Sequence, residues 1–295
     1  METKEKVTII YHADADGRMG GAIAKKWYSE SWQKDKDIKY IETNHGKPIE
    51  FKDSYETLII IDFSFKKDIM DKLNKITKEF IWIDHHITAK QENFELWKTA
   101  DGLRNIDNSG AALTWRYFFK AFPVPQSVKL VEDYDLWNFE YGNDTRYFAE
   151  INGVWNMDDF YTLLKHPENL DSQIGHGYTL YTRKELNIKN RIKKENNNIK
   201  TIFFEGSKTA LINNSQTQDG SLLGNEICKN DYEIALKYTI KKDQMIFGLN
   251  SIGDINVGNI ARKYKGGGHK NAAGFHLCLE EGFKLLLKLY KCEIE

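Results

Sequence analysis

The sequence predicts an α/β protein: a doubly wound, mostly parallel sheet in a first domain, joined by a helical linker to a smaller α/β domain. Three observations lead there. Short apolar runs alternate with helix-period segments through the first half, the rhythm of βαβ units. The runs "VTIIYH", "TLIIIDF" and "FIWID" are apolar almost throughout, as strands buried on both faces are, and acidic or imidazole residues stand at their carboxyl ends. A long polar and basic stretch, residues 173–199, then separates this half from a second set of strands and helices.

Taken in order, "VTIIYH" reads as a strand, "GGAIAKKWYSESW" as a helix, "IKYIET" and "TLIIIDF" as strands, "KKDIMDKLNKI" as a helix and "FIWID" as a strand. "NSGAALTWRYFFKAF" is a helix capped by Asn108 or Ser109 and stopped before Pro123. "QSVKLVEDYDLWNF" is a helix running into an acidic, aromatic turn. "YTLYTRKELNIKNRIKKENNN" is polar on most sides, which suits a helix bridging two domains, and Asn196 to Asn198 are expected to end it. "TIFFEGSKTALINN", "DYEIALKYTIKKDQMIFGLNS" and "VGNIARKYKGGGHKNAAGF" supply the second domain. The expected boundaries are 1–172, 173–199 and 200–295.

Composition narrows the function. With 295 residues, 41% hydrophobic and 29% charged, and only four prolines, the chain has the balance of an ordered protein with room for two cores. No apolar segment reaches membrane-spanning length and no signal peptide is evident, so a cytoplasmic protein is expected. Cys228, Cys278 and Cys292 are widely spaced, which argues against both a disulfide framework and a zinc knuckle. Net charge is -1, yet residues 1–172 carry 23 Lys+Arg against 30 Asp+Glu, while the remainder is net basic. An acidic half beside a mildly basic one suggests bound cations in the first and an anionic ligand. No basic patch of the kind long duplexes need is present.

The chemistry concentrates in "YHADADG". In an extended segment residues two apart share a side, so His12, Asp14 and Asp16 are expected to converge. One imidazole with two carboxylates suits a divalent transition metal such as Mn²⁺ better than Ca²⁺, and crowded carboxylates repel unless cations lie among them. Gly17 is expected to give a tight turn into a helix whose amides face the same place. The alternative is a cluster of turn and capping residues. Two more strand ends count against it: Asp62 follows "III", and Asp84, His85 and His86 follow "IWI". Asp133 or Asp135 in "EDYDLW" offers a further carboxylate. Tyr134, Trp137 and Phe139 could stack a nucleobase or simply pack the core.

These residues resemble the DHH phosphoesterases, specifically their two-domain DHH/DHHA1 branch. H-x-D-x-D-G at His12 to Gly17, the lone Asp62, D-H-H at Asp84 to His86 and the downstream Asp133 occur in the family's order, and "IARKYKGGGHKNAAGF" looks like the glycine-rich DHHA1 signature. The resemblance implies two Mn²⁺ ions, with Mg²⁺ or Co²⁺ as substitutes. His12, Asp14 and Asp62 would hold one; Asp16, Asp62, His85 and Asp133 the other, with Asp62 bridging. Asp84 would orient a histidine, and His86 would contact the scissile phosphate or protonate the leaving oxygen. In the second domain Gly266, Gly267, Gly268 and His269 would meet a phosphate, with Arg262 and Arg18 as further contacts. Two departures touch substrate contacts: Asn250 stands where family members often have arginine, and Gly20 where a small hydroxyl residue often follows.

The expected activity is therefore a Mn²⁺-dependent phosphodiesterase that cuts very short RNA or DNA to 5'-mononucleotides by two-metal in-line water attack. The chain is too short for the extra nucleic-acid-binding domain of RecJ-type exonucleases, and a cleft between two small domains would suit a dinucleotide. Other substrates of the same chemistry are 3'-phosphoadenosine 5'-phosphate and cyclic or linear signalling dinucleotides. A catalytically silent nucleotide sensor is the alternative of another class. The expected partner is a short single-stranded oligonucleotide or dinucleotide, with no long duplex and no membrane; a homodimer is allowed for.

Overall fold

A computed structural model describes residues 4–30, 36–195, 199–213 and 220–291. The chain divides into two units, Met1–Tyr181 and Thr182–Glu295.

In the first unit the elements run β1 (Lys6–His12), α1 (Ala15–Glu30), β2 (Asp37–Thr43), β3 (Tyr55–Ile61), α2 (Lys67–Ile76), β4 (Thr77–Ile83), α3 (Ile87–Glu92), α4 (Phe94–Thr99), α5 (Gly110–Phe118), α6 (Gln126–Asp135), α7 (Asn143–Asn152) and α8 (Met157–Lys165). The four strands form a parallel sheet in the order β2-β1-β3-β4. Alternate residues feed opposite faces. Ile9, Ile59, Ile61, Ile81 and Ile83 pack with α1, α5 and α6, whereas Ile10, Leu58, Ile60, Phe80 and Trp82 pack with α2 and α4. Both faces are covered, which is why the strand sequences read as unbroken apolar runs.

From β1 the chain first adds β2 on one side and then returns to add β3 on the other. The carboxyl ends of β1 and β3 thus flank the topological switch point, where open α/β sheets place ligands. His12 ends β1 and Asp62 follows β3 directly.

Helix α1 begins five residues before the predicted "GGAIAKKWYSESW" segment, so Asp16 and Gly17 lie in its first turn and not in an extended loop. Asp14 is the reason: its Oδ1 accepts from Gly17 N at 2.9 Å, an N-cap that starts the helix early. The last two residues of that predicted helix, Ser31 and Trp32, lie outside the described residues. Gly17 is needed for contact, not for a turn: a Cβ there would come 2.5 Å from His12 O. Helix α5 is capped by Ser109, whose side chain accepts from Ala112 N.

Helix α9 (Leu170–Glu195) follows a short 3₁₀ turn and contains the division between the two units. Asn196 to Asn198, expected to end it, lie outside the described residues. The second unit comprises β5 (Lys200–Phe204), β6 (Ser207–Asn213), α10 (Gly220–Cys228), β7 (Ile234–Lys241), β8 (Gln244–Ser251), α11 (Val257–Lys263), β9 (Gly267–Gly268), β10 (Ala272–Cys278) and α12 (Leu279–Lys291). Its mixed sheet has the order β5-β6-β7-β8-β10-β9. Leu236, Phe247, Leu249 and Phe275 pack with α11 and α12 on one face, and Ala210, Ile212 and Ala235 pack with α10 on the other.

Candidate metal centre

The ends of β1, β3 and β4, the start of α1 and the end of α6 converge at the switch point. His12 Nδ1 lies 2.7 Å from Asp14 Oδ2 and 3.6 Å from Asp62 Oδ2. His85 Nε2 lies 3.2 Å from Asp62 Oδ1, 3.5 Å from Asp135 Oδ2 and 3.8 Å from Asp16 Oδ2. Two three-residue groups able to hold a metal result, His12–Asp14–Asp62 and Asp16–His85–Asp135, and Asp62 also groups with His85 and His86. Asp62 therefore reaches both sides of the cluster.

Asp62 is the centre of the arrangement and the least comfortable residue in it. Its side chain is 1% exposed, yet neither carboxylate oxygen has a hydrogen-bond partner, and His12 Nδ1 is likewise buried without one. Asp14 and His12 are close but lack hydrogen-bond alignment, as atoms do that face a shared point and not each other. The backbone of Asp62 is left-handed, φ 55°, a conformation few residues other than glycine adopt. Helix α5 presses on it: a Cβ on Gly110 would come 2.5 Å from Asp62 Cβ.

A buried, unpartnered carboxylate beside three other acids is costly unless cations compensate it. Protons do so when no metal is present. Burial, then Asp16, holds the Asp62 carboxyl well above its usual range. Burial, with Asp16 and Asp62, pushes Asp135 up to about 8. Burial opposes the charge on His12, but Asp14 and Asp62 prevail and raise it to about 10. Protons and divalent ions compete for such sites, and an imidazole–carboxylate donor set fits a divalent transition metal.

The surrounding groups hold these donors in place. Asp16 Oδ2 and Oδ1 accept from Gly110 N (2.6 Å) and Ala111 N (3.0 Å), so α5 points its positive end at this carboxylate. Asp84 is buried and accepts from His85 N, His86 N and His86 Nδ1 at 2.7, 3.0 and 2.9 Å, and from Trp82 Nε1 at 3.2 Å. It thereby fixes the His86 ring; burial lowers the His86 pKa, but Asp84 outweighs this and the net shift is upward. His12 Nε2 lies 3.3 Å from Asn44 Oδ1, and the His45 ring is 5.8 Å from that of His12. Asn44 and His45 were not singled out in the sequence, although they follow β2 just as the other site residues follow their strands.

Other sequence expectations need correcting. Asp133 does not join the cluster: its carboxylate accepts from Glu140 N (2.8 Å), Tyr141 N (3.1 Å) and Thr145 Oγ1, and so ties the turn after α6. Asp135 faces His85 instead. Residues two apart on a helix point about 200° apart, so only one of the pair can enter the site. Arg18 is committed elsewhere, with Nε and Nη2 on Glu42 (2.8 and 3.1 Å) and Nη1 on Trp155 O (3.2 Å). Gly20 packs against Ile61, whose Cγ2 would lie 2.5 Å from a Cβ. Tyr134, Trp137 and Phe139 pack edge to face among themselves at 4.8 to 6.1 Å.

In the second unit the GGGH glycines serve their own hairpin. A Cβ on Gly266 would come 2.2 Å from Gly274 O, and one on Gly268, where φ is 135°, 2.5 Å from Ala273 Cα. Gly267 has open space around it. His269 N donates to Ala272 O (2.8 Å), and Arg262 is exposed with Nη1 on Asn259 Oδ1 (2.5 Å).

A parallel α/β sheet with a His–Asp cluster at its switch point, followed in the chain by a second mixed sheet carrying GGGH, resembles the DHH phosphoesterases. The comparisons with known proteins agree. Residues 216–295 match the DHHA1 domain. The chain is 27% identical to the uncharacterized protein R106 of Acanthamoeba polyphaga mimivirus, over 92% of this chain and 68% of that one. It is 23% identical to oligoribonuclease NrnB of Bacillus subtilis, over 93% of this chain and 75% of that one. Among solved structures it is similar in fold to the pGpG-specific phosphodiesterase PggH of Vibrio cholerae (TM-score 0.52, 15% identity, 98% and 100% of the two chains). A manganese-bound exonuclease RecJ is similar to the same degree (TM-score 0.52, 15% identity, 99% and 91%). The resemblance to the DHH/DHHA1 phosphoesterases therefore holds in motif, domain and fold.

Proposed function

We propose that this protein is a divalent-metal-dependent phosphodiesterase, using Mn²⁺ in preference to Mg²⁺ or Co²⁺, that hydrolyses dinucleotides and other very short oligonucleotides to 5'-mononucleotides in the cytoplasm. The observation that carries the reading is Asp62, buried with both oxygens unpartnered between two histidine–carboxylate groups. The names of NrnB and PggH, an oligoribonuclease and a pGpG phosphodiesterase, support the substrate class.

His12, Asp14 and Asp62 would hold one ion, and Asp16, His85 and Asp135 the other, with Asp62 within reach of His85 as well. Ions so held supply Lewis acidity at phosphorus and generate a nucleophile from water at neutral pH. The chain's own residues set the rest. Asp84 holds His86 Nδ1, which leaves Nε2 of this partly exposed ring for the substrate. Water gives a proton to solvent as it attacks phosphorus, the P–O bond to the leaving 3' oxygen breaks, and the His86 imidazolium donates its Nε2 proton to that oxygen. Asn44 holds His12 through Nε2, keeping Nδ1 turned to the acids.

The test is a hydrolysis panel of pApA, pGpG, 3'-phosphoadenosine 5'-phosphate and cyclic dinucleotides with Mn²⁺ or excess chelator. Mononucleotide release from the dinucleotides with Mn²⁺ alone is the expected result. Equal turnover in chelator, or tight dinucleotide binding without product under Mn²⁺, Mg²⁺ and Co²⁺, would overturn it.

A further inference from the structure

The last helix of the second unit has more apolar surface than its own sheet uses. Helix α12 lies across β10, β8 and β5 and buries Gly282, Leu286 and Leu289. Three further large apolar side chains face solvent: Phe283 is 47% exposed, Leu287 60% and Tyr290 43%. They recur at i, i+4 and i+7, so they form one stripe along the helix. Tyr290 is held in place there. Its hydroxyl lies 3.4 Å from that of Tyr238 on β7, while Lys200 donates to its carbonyl and sets Nζ 4.7 Å from its ring centroid. Ile240, two residues beyond Tyr238 on the same face of β7, adds a fourth apolar group at 51% exposure. It pairs with Met245 of β8, the residue on which Gly282 rests: a Cβ there would come 2.7 Å from Met245 Cβ. The apolar surface thus continues from the helix onto the sheet beside its first turn.

Single exposed hydrophobic residues are ordinary, but these four leave about 400 Å² of apolar surface together, a size that marks contact with another molecule. The charges around the stripe say which molecule. At about 100° per residue, Glu280 and Lys291 fall on the same outer margin of it, one at its amino end and one at its carboxyl end. A second α12 laid antiparallel on the stripe brings Glu280 to the partner's Lys291 and Phe283 to the partner's Tyr290, with Leu287 near the two-fold axis. A parallel pairing would set like charge against like. Lys291 is exposed, and Glu280 is engaged only with Lys284, at 2.5 Å in a solvent-exposed pair of the weak kind. The surface is therefore self-complementary, as a two-fold interface has to be. A stable interface covers about 800 Å² per partner, so the apolar stripe supplies its centre and the acids and lysines of α12 its polar rim.

We propose that α12 is a homodimer interface, in which the Phe283–Leu287–Tyr290 stripes of two chains pack antiparallel about a two-fold axis with Ile240 at the edge of the contact. It rests on no part of the proposed reaction and requires neither metal nor nucleotide.

The test is sedimentation equilibrium of the full chain. A dimer with a dissociation constant on the order of 1 µM is expected. Leu287→Glu sets two carboxylates face to face at the axis and should weaken it at least about 100-fold. Leu287 is exposed, so the folded monomer should melt as the wild-type chain does. Glu280→Lys and Lys291→Glu should each weaken association about tenfold, and the double variant should return to within about threefold of wild type. A surface that is only sticky would not respond to the order of its charges. A wild-type chain that stays monomeric at about 100 µM overturns the proposal and leaves the stripe to a different partner. A dimer that survives Leu287→Glu overturns it too, because the interface then lies elsewhere. A double variant weaker than either single variant overturns the antiparallel arrangement.

Discussion

The first unit gathers several acids at one buried point and the second buries a lysine, Lys237, among neutral acceptors, and each charge is offset in a different way. In the first, acids that follow β1 and β3 meet acids of α1 and α6, with protons and the N-terminus of α5 to offset them when no cation is bound. In the second, Lys237 Nζ donates to Gly220 O and to Asn250 Oδ1. The glycines divide similarly. Gly110 lets a helix end press against a functional carboxylate, whereas Gly266 and Gly268 close a hairpin on itself. A sequence motif thus marks a position under constraint, and only its neighbours tell whether the constraint is chemical or architectural.

Asp62→Asn should break the comparison most severely. Removing the shared ligand is expected to cost at least about 10³-fold in Mn²⁺-dependent hydrolysis of pApA, the several kcal/mol that metal charge stabilisation supplies. The fold should survive or gain stability, because a buried amide needs neither a proton nor a cation to neutralise it; thermal melting in EDTA reads this. An active Asp62→Asn variant would remove the metal centre from the account.

The two helix acids sharpen the contrast between chemistry and architecture. Asp133→Asn is expected to cost about 1–3 kcal/mol of stability, since it disturbs the acceptor for two backbone N–H groups and Thr145, with hydrolysis per folded molecule largely kept. Asp135→Asn should do the reverse, weakening Mn²⁺ by about 10- to 100-fold in calorimetric titration, by analogy with the loss of groups that tune a metal site. Equal metal loss in both variants would show that the helix places neither acid as described.

Asp135 also predicts a pH dependence. Its folded pKa is raised from 3.8 to about 8, chiefly by burial and then by Asp16 and Asp62. The folded state therefore holds a proton that the unfolded chain has released, and the metal-free protein loses stability as pH rises across that window. The melting temperature of Asp135→Asn in EDTA should fall less over the same range, and Mn²⁺ should flatten the wild-type profile. A wild-type profile as flat without metal as with it would contradict this.

The smallest effects belong to GGGH. Gly268→Ala, at φ 135° and against Ala273, should destabilise by about 1–3 kcal/mol. Gly267→Ala, with open space around it, should change stability by less than about 0.5 kcal/mol. Denaturant unfolding measures both, and equal losses would show that the hairpin does not distinguish the two glycines.

Much of this protein was legible in its sequence because strand burial and strand ends are local properties. Apolar runs fixed the parallel sheet, and His12, Asp62, Asp84, His85 and His86 could be placed at its carboxyl edge because residues just past a buried strand must leave the core there. The ambiguity of Asp133 and Asp135 was not resolvable that way, since the choice depends on how α6 is rotated against α1, α5 and α7. Asn44 and His45 escaped notice because one strand end looks like any other until strand order is known. Arg18 read as a ligand until Glu42, 24 residues away, occupied its guanidinium. Lys237 gave no signal at all: a lysine in a strand reads as solvated, and its burial arises only when β8 offers a glycine opposite and α10 closes over the same face. The sequence alone determined which residue types gather and at which chain positions; tertiary packing decided which of them lose water, and desolvation is what turns a charge into a demand for a ligand.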